Sequence, residues 1–403
     1  MIAAPNRSSV GALVLAGFVV IGLIPRLAAA ILLGNGFHFA DEAVYLDTVH
    51  RLLSGDGFGS KYPRVPAYPV FLAVLAAPLA AAVLWVRVAQ AVVASLGTGL
   101  TFIVADRLMG RHAAVAAALM YALDPLLVVT AALLYPEAVA ATVMLGVVLF
   151  AWEAARRDSL AGSGLTGLLL GLLALFRPVA LLVIPVVALW ISLRVATRPA
   201  RRILHLGLVA LVCVLVLAPW TNRNYRVYGR LTPISRAGTR VAPVPADEAE
   251  RRGLTVALLY KARREPLALA GRMAREFGHF WELTPERLAT DDPARRELLH
   301  RQDPRLPTAP VFSPRLRDAV SAASFGIELV LGLAGLVLVW RPRRAEAVLL
   351  LSIILVYGLG YALFAGKLRY RIPILPLVFL FAGAAAATLY GAIRGRRTEQ
   401  QAG

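Results

Sequence analysis

The sequence predicts an all-α, polytopic membrane protein with about ten transmembrane helices. Three observations carry this. Hydrophobic residues make up 59% of the 403 residues and the mean hydropathy is +0.68, outside the range of ordinary soluble domains. Apolar runs of spanning length recur along most of the chain. Arginine gathers in every second connection between those runs.

Taken in order, the apolar runs lie near 10–33, 84–106, 112–132, 137–155, 162–176, 178–194, 203–220, 321–340, 346–365 and 372–391. The first lacks a small-residue cleavage site and reads as a retained helix. Val65 to Ala82 is interrupted by Pro66, Pro69 and Pro78 and reads as an interfacial helix. The basic connections hold Arg107, Arg111 and His112; Arg156 and Arg157; Arg194, Arg198, Arg201 and Arg202; Arg341, Arg343 and Arg344; and Arg394, Arg396 and Arg397. With ten spans, all of these fall on the side of the N-terminus, which the positive-inside rule makes cytoplasmic. Counting 65–82 as a full span would put the later clusters outside.

Three regions follow. Residues 1–220 form an N-terminal transmembrane region with a first outer loop at 34–83. Residues 221–320 form an outer, periplasmic segment, and 321–403 the last helices with a basic cytoplasmic tail. Inside the outer segment, Asp247 to Tyr260 and Pro266 to Trp281 read as short helices. The proline-rich stretch Thr284 to Pro314 reads as extended coil. The localisation implied is multi-pass in the plasma (inner) membrane, with both termini cytoplasmic. The 43 Lys and Arg against 24 Asp and Glu give a formal charge of +19. Beside these apolar runs, anionic membrane lipid is the partner that charge implies, not nucleic acid. The single cysteine, Cys213, excludes an intrachain disulfide.

Chemistry concentrates at Phe39-Ala40-Asp41-Glu42-Ala43-Val44-Tyr45, where the chain leaves the first span. Leu46, Val49 and Leu53 follow at near-helical spacing, and Gly55-Asp56-Gly57 closes the segment. Asp41 then lies in a first helical turn, where the helix dipole favours negative charge. One carboxylate beside many arginines suits a particular reaction. A sugar on a polyprenyl phosphate already has a good leaving group, so cations must receive the phosphate while one base takes the acceptor proton. A glycoside hydrolase would need a second, protonated carboxyl. The bland alternative is a solvated helix N-terminus.

The ordered set Asp41-Glu42-Ala43-Val44-Tyr45, Gly55-Asp56-Gly57-Phe58, Pro66-Ala67-Tyr68-Pro69, Tyr135-Pro136-Glu137, Phe176-Arg177-Pro178, Ala218-Pro219-Trp220-Thr221-Asn222-Arg223-Asn224-Tyr225 and Arg369-Tyr370-Arg371-Ile372-Pro373 runs over nearly the whole chain. In this the chain resembles the GT-C superfamily of integral membrane glycosyltransferases, and within it the family 39, ArnT-like relatives of protein O-mannosyltransferases. The resemblance implies a GT-C-like fold and an inverting transfer of a hexosyl or pentosyl group from a polyprenyl-phosphate donor to a lipid, glycan or protein acceptor. It implies the first-loop aspartate, Asp41, as catalytic base. The stretch Ile234 to Pro245 departs from the Gly- and Trp-containing pattern of those relatives.

Around Asp41, Glu42 is grouped as catalytic, orienting a partner or pairing with an arginine. Lys367, Arg369 and Arg371 place three cations in five residues of an outer turn, against the charge rule, and are expected at the donor phosphate. Arg177 reads equally as a phosphate ligand or an interfacial snorkel. Tyr45, Arg64, Asp124, Glu137 and Arg223 complete the candidates; Asp124 is a carboxylate inside an apolar run, and Pro125 beside it can end the helix early. A divalent metal on His38 or His279 with Asp41 or Glu137 is a weaker reading: no paired His or Cys spacing supports it, and no metal ligand is assigned. A transporter or flippase of lipid-linked sugars would use the same arginines without a base. Neither the internal repeats nor the paired broken helices common in transporters stand out.

Overall fold

A computed structural model describes residues 7–59, 62–79, 82–195, 198–229, 232, 254–285, 292–309 and 313–402. Among the described residues the regular structure is helical throughout. The N-terminal half contains α1 (Arg7–Leu33), α2 (Ala40–Leu53), α3 (Ala67–Ala76), α4 (Val83–Leu108), α5 (Arg111–Leu123), α6 (Pro125–Ala132), α7 (Glu137–Arg157), α8 (Leu160–Phe176), α9 (Val183–Arg194) and α10 (Pro199–Tyr228). The segment after α10 adds α11 (Leu254–Arg264), α12 (Pro266–Phe280) and α13 (Pro293–Gln302). The chain ends with α14 (Pro314–Trp340), α15 (Arg344–Ala362), a 3₁₀ turn at Leu368–Ile374 and α16 (Leu375–Ala402).

Each of the ten expected runs is helical, and the helices differ in length. Seven helices are long and apolar enough to cross a membrane, and the bent pair α5–α6 makes an eighth. The runs near 162–176 and 178–194 become Leu160–Phe176 and Pro178–Arg194, both shorter than that length. Pro178 divides the two: a residue before proline avoids the α region, and Arg177 is extended at φ −144° and ψ 107°. The expected coil from Thr284 to Pro314 is also corrected, because α13 lies within it. Pro293 occupies the first turn, where its missing N–H costs nothing, and Asp292 caps the helix by accepting from Ala294 N at 3.0 Å. Of the helix expected at Asp247 to Tyr260, α11 supplies the end; 247–253, like the divergent stretch Ile234 to Pro245, lie outside the described residues.

The core is built by α1 packing on α4 and α5, α4 on α7, α7 on α8, α8 on α10, and α16 on both α5 and α14. The basic connections meet at one end. Arg343 donates to the Leu108 carbonyl at 2.6 Å, Arg107 and Arg157 both pair with Glu153, and Arg201 reaches Asp158 at 3.0 Å. At the opposite end α2, the start of α7, the end of α8 and the 3₁₀ turn come together.

The break between α5 and α6 bends the chain by 50°. In hydrocarbon every freed backbone group needs a partner. Arg26 of α1, fully buried, donates to the carbonyls of Tyr121 at 2.8 Å and Ala122 at 3.1 Å. Asp124 caps α6, accepting from Leu127 N at 2.7 Å.

Candidate active site

The aspartate at the start of α2 is held by two guanidinium groups. Arg64 Nη2 donates to Asp41 Oδ1 at 2.9 Å, and Arg369 Nη2 to Asp41 Oδ2 at 2.8 Å. Burial alone would push the Asp41 carboxyl up, but the charges of Arg369 and Arg64 outweigh it and hold the carboxyl down at about 2. The carboxylate is therefore ionised at any ordinary pH. It keeps 30% of its side-chain surface exposed, so it remains reachable.

Arg369 also faces a second acid. Its Nε lies 3.7 Å from Glu137 Oε1, and Glu137 pairs with Arg177. Glu137 is fully buried in the first turn of α7, where the helix dipole favours its charge. Aromatic rings line the arginines: Arg369 lies 4.5 Å from the Tyr135 ring centroid, Arg177 5.5 Å from that of Tyr370, and Arg64 5.2 Å from that of Tyr45. Tyr370 stacks on Tyr361 with centroids 4.6 Å apart. Asp41, Arg64, Arg369, Glu137, Arg177 and Tyr45 are thus one cluster. Lys367, half-buried at the start of the 3₁₀ turn, has no hydrogen bond or ion pair to its ammonium among the described residues.

Other expected residues lie elsewhere in the network. Glu42 is fully buried, one residue from Asp41 but on another face of α2. Its Oε2 accepts from His38 N at 2.7 Å and Phe39 N at 3.1 Å; its Oε1 accepts from Leu134 N at 3.0 Å and pairs with Arg87 at 2.9 Å. Every acceptor direction is committed to holding the loop against α4 and the start of α7. Arg371 turns away from Asp41: it donates to the Glu282 carbonyl at 2.5 Å and lies 3.4 Å from the Phe325 ring centroid. Arg223 fastens the end of α10 to the connection between α2 and α3, donating to Gly59 O at 2.5 Å and Tyr62 O at 3.4 Å. Asp124 serves as the cap described above.

The 3₁₀ turn that presents Arg369 is itself anchored. Gly366 N donates to Glu276 Oε2 at 2.8 Å, and a Cβ at Gly366 would collide with the Glu276 carbonyl, so only glycine fits. The imidazoles of His38 and His279 are engaged by the Leu33 carbonyl and by Glu282. Among the described residues no group of three or more His, Cys, Asp or Glu side chains is placed to hold a metal. Sequence reasoning passed over Arg26 and Glu328, both buried charges inside apolar runs, which is the signal that singles out intramembrane polar residues.

Comparison with known proteins agrees with this architecture. Residues 63–221 match the family model of dolichyl-phosphate-mannose-protein mannosyltransferases. The apo oligosaccharyltransferase of Archaeoglobus fulgidus superposes with a TM-score of 0.59 at 14% identity, over 96% of this chain and 52% of that one. Apo ArnT from Cupriavidus metallidurans gives 0.55 at 18% identity, over 94% and 60%. The same ArnT bound to undecaprenyl phosphate gives 0.55 at 16% identity, over 92% and 59%. The chain thus spans little more than half the length of these structures. No curated protein matches it in sequence. The fold is GT-C-like, shared with these structures.

Proposed function

We propose that this GT-C chain transfers a hexosyl or pentosyl group, with inversion, from a polyprenyl-phosphate donor to an acceptor hydroxyl on the outer face of the membrane. The observation that carries the reading is the Asp41 carboxylate held between Arg64 and Arg369. The family match and the ArnT structure bound to undecaprenyl phosphate support a lipid-linked donor.

In the resting site the base is masked, since a carboxyl held at about 2 has little pull on an alcohol proton. A donor phosphate entering the cluster competes for the same guanidinium groups, and phosphate takes arginine bidentately. As Arg369 turns toward the phosphate, with Lys367 and Arg177 as further cations, the charge depressing Asp41 falls. Burial then raises the carboxyl's basicity. Asp41 accepts the acceptor's hydroxyl proton as the oxygen bonds to the anomeric carbon. The bond from that carbon to the phosphate oxygen breaks, and polyprenyl phosphate leaves with the electron pair into the cationic cluster. Attack opposite the leaving group inverts the centre. Glu137 keeps Arg177 and Arg369 in place, and Glu42 fixes the backbone that presents Asp41.

The arginine-rich connections collected at the far end support a cytoplasmic assignment for that face and an outward one for Asp41. The acceptor is a lipid, glycan or protein hydroxyl. The direct test is release of polyprenyl phosphate from a labelled polyprenyl-phosphate sugar by purified protein with candidate acceptors. Acceptor-dependent release with an inverted product is expected. Movement of the intact donor across vesicles without cleavage would replace the reading with a flippase.

A further inference from the structure

We infer that Gln90 of α4 is a positioning residue: its buried side-chain amide ties together the aromatic supports behind Arg64 and Arg369, and so sets the spacing of the guanidinium pair that holds Asp41. This rests on the reading above that Asp41 is the base and that the arginines meet the donor phosphate.

The carbonyls of Ala131, Ala132 and Leu133 lie at the end of α6, before α7 begins at Glu137. Carbonyls freed at a helix end inside an apolar bundle need donors from elsewhere. α4 supplies them. Arg87 Nη1 donates to Ala132 O at 2.8 Å. Gln90, fully buried three residues on, donates through Nε2 to Ala131 O at 2.9 Å and to Leu133 O at 2.6 Å. Its Oε1 accepts from the Tyr68 hydroxyl of α3 at 2.7 Å. Both N–H donors and the acceptor oxygen of the amide are therefore engaged. Reversing the amide would set its oxygen against two carbonyls, so its orientation is fixed.

Each side of the amide leads to one arginine. Tyr68, fully buried, meets Tyr45 edge-on with centroids 4.8 Å apart, and the Tyr45 ring centroid lies 5.2 Å from the Arg64 guanidinium. On the other side, Leu133 O also accepts from Tyr135 N at 2.8 Å, and the Tyr135 ring centroid lies 4.5 Å from the Arg369 guanidinium. The two arms converge on the two oxygens of Asp41, Arg64 on Oδ1 and Arg369 on Oδ2, with Glu137 behind Arg369. Close-packed side chains pass a displacement on rather than absorb it. Cutting either arm at Gln90 therefore lets one guanidinium move against the other.

The test measures undecaprenyl phosphate binding to the full-length protein in detergent, the acidic limb of kcat/KM, and the melting temperature. Gln90→Met keeps the length of the side chain and removes all three hydrogen bonds. It is expected to bind the lipid about tenfold more weakly and to move the acidic limb upward, as the clamping charges draw away from Asp41. Tyr68→Phe removes one hydroxyl and leaves both carbonyl bonds and the ring packing. It is expected to shift both readings in the same direction by a smaller factor. The double variant should match Gln90→Met alone, since both substitutions break the same bond. Arg26→Met controls for lost stability: it frees the carbonyls of Tyr121 and Ala122 at the preceding break, and should melt lower with lipid affinity and acidic limb unchanged. A Gln90→Met protein that melts lower but keeps wild-type affinity and an unmoved limb overturns the positioning role while leaving the donor reading intact. So does an equal change of affinity and limb in Arg26→Met. Should Gln90→Met fail to fold, Tyr68→Phe decides, and wild-type affinity and limb there overturn the role. Failure of the wild-type protein itself to bind the lipid overturns the donor reading, and this inference with it.

Discussion

Asp41 and Arg369 lie 328 residues apart in the chain and meet at 2.8 Å. The candidate base and its principal cation therefore come from distant parts of the chain, one on α2 and one on the 3₁₀ turn before the last helix. Neither sits on a mobile tip: α2 is fixed through Glu42 and Arg87, and the turn through Gly366 and Arg371. A site assembled this way can be dissected residue by residue.

Asp41→Asn preserves the shape and removes the proton acceptor. Positioned general bases contribute roughly 10²–10⁴-fold, so turnover should fall by about that factor. Binding of undecaprenyl phosphate should be kept or tightened, because Arg64 and Arg369 lose their resident anion. Steady-state turnover with a labelled donor checks this. Turnover near wild type would remove Asp41 from the chemistry.

Arg369→Ala should act on the donor. A hydrogen bond to a charged group is worth about 1.5–3 kcal/mol, so the donor KM should rise roughly 10- to 100-fold. The acceptor KM should change little. Equal effects on both substrates would place Arg369 outside the phosphate contact.

The fold was legible in sequence because membrane helices announce themselves by length and apolar composition. Asp41 was legible as a carboxylate at a loop-to-helix junction. Arg369 was legible as one of three cations, Lys367, Arg369 and Arg371, in a single short connection, and it lies at the end opposite the other basic connections. Glu42 was not separable from Asp41: neighbours on a helix point about 100° apart, and only the placement of Arg87 and Leu134 N shows that one faces the cluster while the other is sealed inside. Arg371 misled for the same reason, two residues from Arg369. The two helices flanking Arg177 are shorter than the other apolar helices, and Pro178, which keeps the residue before it out of the α region, divides them.

The pH response should expose the arginine clamp. A carboxyl held below its unfolded value stabilises the fold above that value and loses the contribution as pH falls. With Asp41 moved from 3.8 to about 2, a contribution of about 2 kcal/mol fades between roughly pH 4 and pH 2. At neutral pH the free enzyme's kcat/KM should be flat with respect to this group. In Arg64→Ala one lowering charge is gone while burial remains, so the acidic limb of kcat/KM should move upward toward the working range. A pH–rate profile of wild type and variant measures it. An unmoved limb would mean that Arg64 does not tune Asp41.

Arg26→Met tests whether the broken span is scaffold or chemistry. The guanidinium serves the carbonyls of Tyr121 and Ala122 at the break before Pro125. Without it, those carbonyls face hydrocarbon with no donor, at about 1–3 kcal/mol each. The variant should melt at lower temperature and yield less folded protein. The folded fraction should keep wild-type donor and acceptor KM, since Arg26 contacts nothing in the Asp41 cluster. Asp124→Asn, which can still cap α6, should be nearly silent, whereas Asp124→Ala should cost about 1 kcal/mol. Melting temperatures of the three variants beside their steady-state constants decide the matter. A rise in donor KM in Asp124→Asn at wild-type stability would assign that carboxylate a part in the reaction that its capping geometry does not provide.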